Sequence, residues 1–80
     1  KMIDKLLNLK QTFTFSDLEY LLGKLGYTEK KTGKTSGSRK AYINSSTFHI
    51  IRIHKPHPGN EIKRYVRAYL ISEFKNQGLI

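Results

Sequence analysis

The sequence contains no cysteine and no tryptophan, and only two of its 80 residues are proline. The absence of cysteine excludes a disulfide, a thiol nucleophile and a thiolate metal site. No apolar run approaches the roughly 20 residues that a membrane-spanning helix needs. The opening segment, residues 1–4, carries an early aspartate instead of the long apolar core of a secretion signal. These absences predict a cytoplasmic protein with no membrane attachment.

Acidic residues are also scarce. Six Asp and Glu stand against fifteen Lys and Arg, which gives a formal net charge of +9. A charge of this size raises the local concentration of polyanions around the molecule, so nucleic acid is the leading partner. An anionic membrane surface would require a basic amphipathic helix or a lipidation signal, and neither is evident. The length fits a single domain covering residues 1–80.

Three stretches of the sequence have helical spacing. Residues 2–10 place apolar side chains three and four apart, which predicts a short leading helix or a helical turn. Ser16 and Glu19 form a capping-box pattern, followed by a leucine stripe and by Gly26 as a C-terminal cap, so a helix is predicted to begin here. A last helix is predicted to open at residues 59–61. Its apolar residues recur at three and four: Ile62, Tyr65, Val66, Tyr69, Leu70 and Phe74.

The residues between these helices are predicted to form three strands. Tyr27 begins a strand that runs into a polar, basic loop. Residues 40–44 and 48–54 are rich in β-branched and aromatic side chains and are separated by a turn, which predicts a hairpin. Combined with the helices, this order predicts an α+β fold of the double-stranded-RNA-binding-domain type, αβββα. In that fold two helices lie on one face of a three-stranded antiparallel sheet.

Motifs for nucleotides and metals are incomplete. Gly33-Lys34-Thr35 matches the end of a phosphate-binding loop, but the first glycine of that motif is missing and no helix follows. Metal catalysis needs several converging carboxylates or histidines, whereas the acidic residues are scattered along the chain. His54 and His57 alone make a poor metal site because no third ligand is near. We therefore expect neither a metal nor a cofactor.

Metal-free RNA cleavage suits these two histidines better. The reaction needs a base for the 2′-hydroxyl proton, an acid for the departing 5′-oxygen, and fixed cations around the phosphorus. Histidine as a residue type titrates in the useful range, although His54 and His57 are each equally explained as surface residues beside the last strand. A phosphate track would consist of Lys34, Arg39, Lys40, Arg52, Lys55, Lys63, Arg64 and Arg67. Each of these residues alone is explained as ordinary solvated surface, so the prediction concerns the patch.

Residues 33–39 and 54–63, together with the amphipathic helix that follows, resemble the HicA family over nearly the whole chain. The resemblance implies an αβββα fold, sequence-relaxed mRNA cleavage without a metal, and neutralisation by a HicB antitoxin. Gly37 and Ser38 match the first two residues of the family's Gly-Ser-His triplet, whose histidine is catalytic. His57 matches the histidine of a second family motif. The expected protein is therefore a toxin of a type II toxin–antitoxin system, with mRNA and a HicB-like antitoxin as its partners.

Arg39 occupies the histidine position of that triplet. Arginine stays protonated in proteins, so it is a poor general base. Three interpretations are open: Arg39 holds the phosphate while His54 or His57 supplies acid–base chemistry, the chain binds RNA without efficient cleavage, or this position has been altered. We favour the first, with Arg39, His57 and His54 as catalytic candidates and Ser38 as an RNA contact beside them. The alternative function is a non-catalytic RNA-binding module on the same scaffold.

Overall fold

Three helices and three strands make up a computed structural model that describes residues 2–30, 39–56 and 59–80. The elements are α1 (Met2–Leu7), α2 (Phe15–Lys24), β1 (Tyr27–Glu29), β2 (Arg39–Asn44), β3 (Ile50–His54) and α3 (Arg64–Asn76). The strands form one antiparallel sheet in the order β1-β2-β3. This arrangement confirms the predicted αβββα fold, with the short helix α1 ahead of it.

One face of the sheet is covered by helices, because α2 contacts β1 and α3 contacts β3. Successive strand residues point to opposite faces, and Tyr42, Ile51 and Ile53 point toward the helices. The buried apolar core consists of Leu6, Phe13, Phe15, Leu18, Leu21, Leu22, Tyr27, Tyr42, Ile51, Ile53, Ile62, Leu70 and Phe74. The helices therefore cover the side of β3 that carries Ile51 and Ile53.

The β2–β3 turn shortens the predicted second strand of the hairpin. Phe48 has a φ of 62°, a left-handed conformation that ends extended pairing, so β3 begins at Ile50 instead of at residue 48. The side-chain oxygen of Asn44 accepts from the amides of Ser46 and Thr47 at 2.8 and 3.1 Å. The amide of Phe48 donates to the Asn44 carbonyl at 2.8 Å. This turn fixes the register of β3 on β2.

The N-terminal cap of α2 is Thr14, two residues earlier than the predicted Ser16. The Thr14 hydroxyl accepts from the Asp17 amide at 3.1 Å, and the Asp17 carboxylate accepts from the Thr14 amide at 3.0 Å. The predicted capping chemistry is therefore present, but with Thr14 and Asp17 as its partners. Glu19 accepts instead from the Tyr42 hydroxyl at 3.3 Å. The glycine predicted to end the helix, Gly26, has a φ of 92° as that role requires.

Asp17 also forms an ion pair with Lys5 of α1, so removal of its charge tests how much this residue stabilises the fold. Lys5 Nζ lies 2.8 Å from Asp17 Oδ2, and this contact is the main cause that holds the pKa of Asp17 below its ordinary value of 3.8. We expect Asp17→Asn to lower the free energy of unfolding by about 1 kcal/mol at pH 7. Because the folded state has the lower pKa, the stabilisation is present above about pH 4 and is lost as the pH falls through the folded-state pKa. Urea titrations at pH 7 and in acid should show a difference only at pH 7. Equal stability at pH 7 would contradict the role of the charge.

The last helix begins at Arg64, later than the predicted opening at residues 59–61. The chain ahead of α3 is extended because it pairs with the chain ahead of α2. The Phe15 amide donates to the Asn60 carbonyl and the Ile62 amide donates to the Phe13 carbonyl, both at 2.7 Å. The starts of the two main helices are therefore joined by backbone hydrogen bonds.

A polar network inside the fold joins β1 and the start of β3 to α3. His49 Nδ1 lies 2.7 Å from the Tyr27 hydroxyl, and His49 Nε2 lies 2.8 Å from Glu73 Oε1. Burial, as the largest cause, raises the pKa of Tyr27, so this phenol stays protonated. The two ring nitrogens of His49 are both occupied, so this histidine holds the fold together and is not free for substrate.

Candidate nucleic-acid interface

The sheet surface opposite α2 and α3 is referred to as the open face. It is formed by Thr28, Arg39, Ala41, Ile43, Ile50, Arg52 and His54. None of these seven described positions is acidic, and the two arginines and the histidine gather at the end of the hairpin that lies away from the turn. A phosphate group at this end of the open face meets cations and no opposing carboxylate.

Arg39 and His54 lie directly opposite each other on β2 and β3. The amide of Arg52 points away from β2, since it donates to the Tyr69 hydroxyl in a long hydrogen bond of 3.4 Å. His54 follows two residues later, so its amide points the same way, and the Arg39–His54 pair is one without backbone hydrogen bonds between its members. In such antiparallel pairs the Cα atoms are only about 4.5 Å apart and the side chains are at their closest. Both side chains are exposed.

This pair combines two chemical abilities. A guanidinium is always charged and offers paired N–H donors that match the oxygens of a phosphate. An imidazole takes up or releases a proton near neutrality. The His54 ring makes no hydrogen bond to any residue that the structure describes. The arrangement can hold a phosphodiester and move a proton beside it.

The remaining predicted residues are spread over several places. Three of them, Lys34, Ser38 and His57, lie outside the described ranges. Three others are exposed after β3 or at the start of α3: Lys55, Lys63 and Arg64. Lys40 lies on the helix side of the sheet, where its Nζ is 3.1 Å from Glu29 Oε2. The three exposed residues add positive charge after β3 and at the start of α3, and Lys55 Nζ lies 5.8 Å from the centre of the Phe15 ring. The charge of Lys40 is compensated by Glu29 on the helix side of the sheet.

Arg67, which the sequence predicts as an RNA contact, is buried in the structure. Its side chain is 4% exposed, and its guanidinium donates to the carbonyls of Lys5, Leu6, Asn8 and Gln11 at 2.7 to 3.3 Å. The last carbonyls of a helix have no partners within it, and Arg67 supplies donors to them at the end of α1. Burial, the largest cause, lowers the pKa of Arg67, although an arginine remains charged. Arg67 is therefore a structural residue that fastens α1 to α3.

Two tyrosines of α3 are exposed although the sequence predicts them to be buried. Tyr65 and Tyr69 were assigned to the apolar stripe, yet they are 73% and 38% exposed. The buried stripe of α3 runs instead through Arg67, Leu70 and Phe74. A signal was available in the spacing, since Tyr65 and Tyr69 are four apart and form a row of their own beside the buried one.

Within residues 2–30, 39–56 and 59–80, no group of three or more histidine, cysteine, aspartate or glutamate side chains is placed to hold a metal ion. None of the helices in the same part of the chain is long and apolar enough to cross a membrane.

Comparison of the sequence with models of known protein families gives a match. Residues 15–72 match the family model described as HicA toxin of bacterial toxin–antitoxin. The match includes α2, all three strands and most of α3, and so contains both Arg39 and His54. Searches of curated proteins and of solved structures returned no match. Because the family model covers well over half of the sequence, the chain belongs to the HicA toxin family of bacterial toxin–antitoxin systems.

Proposed function

We propose that this toxin binds mRNA across the open face and cleaves it without a metal ion. The observation that carries the proposal is the Arg39–His54 pair, in which a permanent cation and a free imidazole lie side by side on an exposed, positively charged surface. The family's triplet histidine is replaced by Arg39. His54, its partner on the neighbouring strand, therefore takes over the proton transfer near the position where the family keeps its catalytic imidazole.

The proposed reaction is transfer of the phosphate to the neighbouring 2′-oxygen. A neutral histidine takes the proton of the 2′-hydroxyl, whose oxygen forms a bond to phosphorus while the bond from phosphorus to the 5′-oxygen breaks. A protonated histidine gives its proton to the departing 5′-oxygen. His54 and His57 share these two roles, and the Arg39 guanidinium offsets the negative charge that builds up on the phosphorane. The products are a 2′,3′-cyclic phosphate and a 5′-hydroxyl.

The test of this reaction uses unstructured RNA, purified protein and an excess of chelator. We expect strand cleavage whose products end in a cyclic phosphate. Retarded migration of intact RNA without cleavage would instead favour the second candidate, a non-catalytic RNA-binding module. The replacement of the triplet histidine by Arg39 is the specific observation behind that candidate, since arginine retains the binding charge but not the base.

Binding of RNA should depend steeply on salt. Each phosphate contact on a single strand contributes a slope of about −0.7 to the logarithm of affinity against the logarithm of salt concentration. We expect Arg52→Gln, which removes one cation from the open face, to make the slope shallower by about that amount. The matched control is Lys24→Gln on α2, where Lys24 Nζ lies 5.4 Å from the centre of the Tyr20 ring. Anisotropy titrations at several salt concentrations measure the slopes, and a salt-independent affinity would contradict electrostatic binding.

A toxin of this family has a cognate antitoxin, and we propose a HicB-like protein that covers the open face. A partner with acidic side chains would gain from electrostatic complementarity and fast association with this surface. It would also exclude RNA, because both ligands use the same cations. A toxin that acts on mRNA works in the cytoplasm, where we place this protein.

A further inference from the structure

One row of side chains on α3 follows the free edge of β3. The row consists of Glu73, Tyr69 and Tyr65, spaced four residues apart on one side of the helix. Glu73 contacts His49 at 2.8 Å, and the Tyr69 hydroxyl accepts from the Arg52 amide at 3.4 Å. Residue numbers fall along α3 as they rise along β3, so the helix and the strand run in opposite directions side by side.

The next position of this row is Tyr65. Four helical residues advance about 6 Å along the axis, so Tyr65 lies that far beyond Tyr69. Two strand residues advance about 6.6 Å, which leads from Arg52 to His54. The two steps are nearly equal, and Tyr65 therefore reaches the level of His54, across the strand from Arg39.

Tyr65 differs from Glu73 and Tyr69 because its side chain has no partner among the described residues. It is 73% exposed, and it makes no hydrogen bond, ion pair or ring contact within the described residues. Tyr69, one turn away, uses its hydroxyl on the backbone of β3. Tyr65 continues the row at the free edge of β3, whereas Arg39 and His54 lie on the open face at the same level, so an RNA strand that rounds this edge would contact both. Cations that hold the backbone and an exposed ring that stacks on a base are the combination by which proteins bind unpaired nucleotides.

We propose that Tyr65 stacks on the base of a nucleotide next to the phosphate held by Arg39 and His54. The inference rests on the proposed RNA function and specifies the substrate further. The RNA must be unpaired at this point, because the face of a base in a duplex is already covered by its stacked neighbours. Tyr65 thus positions the strand for cleavage and takes no part in proton transfer.

The experiment measures binding to a short unpaired RNA that carries 2-aminopurine near its centre and 2′-O-methyl groups throughout, so that it cannot be cleaved. We expect the fluorescence of the 2-aminopurine to be quenched on binding to the wild type. Tyr65→Leu should weaken binding about tenfold and abolish the quenching, as loss of one base–aromatic stack predicts. Tyr65→Phe keeps the ring and should bind within about twofold of wild type with the quenching intact. Tyr20→Leu is the matched control, because Tyr20 is a 56% exposed tyrosine on α2 and should behave as wild type.

Arg39→Ala is measured alongside to separate this inference from the proposed function. If Arg39→Ala weakens binding while Tyr65→Leu binds and quenches as the wild type does, the stacking role is wrong and the RNA function stands. If the wild type itself does not bind the RNA, both are wrong. A Tyr65→Phe variant as weak as Tyr65→Leu would show that the hydroxyl matters instead of the ring and would also overturn the proposal. Thermal melting of each variant confirms that it is folded.

Discussion

Arg67→Ala is expected to destabilise the fold by about 3 to 5 kcal/mol, a large share of the roughly 5 to 15 kcal/mol that holds a domain folded. The substitution removes five hydrogen bonds donated by a buried guanidinium. It leaves the carbonyls of Leu6, Lys5, Asn8 and Gln11 without these donors. Buried polar groups that lose their partners cost more than the net strength of the bonds themselves. Urea denaturation followed by circular dichroism measures the effect.

Arg64 provides the matched control for Arg67. It is an exposed arginine three residues earlier on the same helix, and Arg64→Ala should change stability by less than about 0.5 kcal/mol. Arg67→Lys should not rescue the fold, because a single ammonium cannot replace a planar group that spans several carbonyls. If Arg67→Ala unfolds at the same urea concentration as the wild type, the guanidinium does not fasten α1 to α3.

Arg39→Ala is expected to lower metal-free cleavage by about a hundredfold at every pH, the usual cost of removing one group that stabilises transition-state charge. His54→Ala and His57→Ala should instead change the shape of the pH–rate profile, because each removes an imidazole to which the proposed reaction assigns a proton transfer. Single-turnover cleavage against pH measures both effects. A wild type that is active but unaffected by all three substitutions would show that the site is elsewhere.

Arg39→His distinguishes the open interpretations of the triplet. It restores the Gly-Ser-His sequence and places an imidazole opposite His54 in the same cross-strand pair. An inactive wild type that becomes active on this substitution would be a binding module on a toxin scaffold. If the wild type is active and Arg39→His increases the rate, the scaffold still accepts the family's catalytic residue at this position.

The elements could be predicted from sequence because their signals are local. Apolar spacing of three and four located the helices, and turn residues separated the strands. The observed starts of α2 and α3 differ from the predicted ones because a contact between residues far apart in the sequence determines where these helices begin. Both Thr14 with Asp17 and Ser16 with Glu19 satisfy the capping pattern, and the pairing of the chain around Thr14 with Glu61 selects the first.

The site was only partly predictable for the same reason. The residue types at Arg39 and His54 indicated phosphate binding and proton transfer, but their direct opposition depends on strand register, which a slip of one residue would destroy. The burial of Arg67 depends on the carbonyls of Lys5 and Leu6 in α1, which lie about sixty positions away in the chain. No local spacing distinguishes such an arginine from a solvated one.

The Tyr69 hydroxyl also protects a strand edge. β3 is an outer strand of the sheet, and the free amides and carbonyls of such a strand are a template on which another chain can add a strand. Tyr69 accepts the hydrogen bond of the Arg52 amide, and α3 lies along this edge. Strand addition at β3 would have to displace the helix. We therefore expect the proposed antitoxin to use the open face instead of the β3 edge, where it would compete with RNA for Arg39, Arg52 and His54.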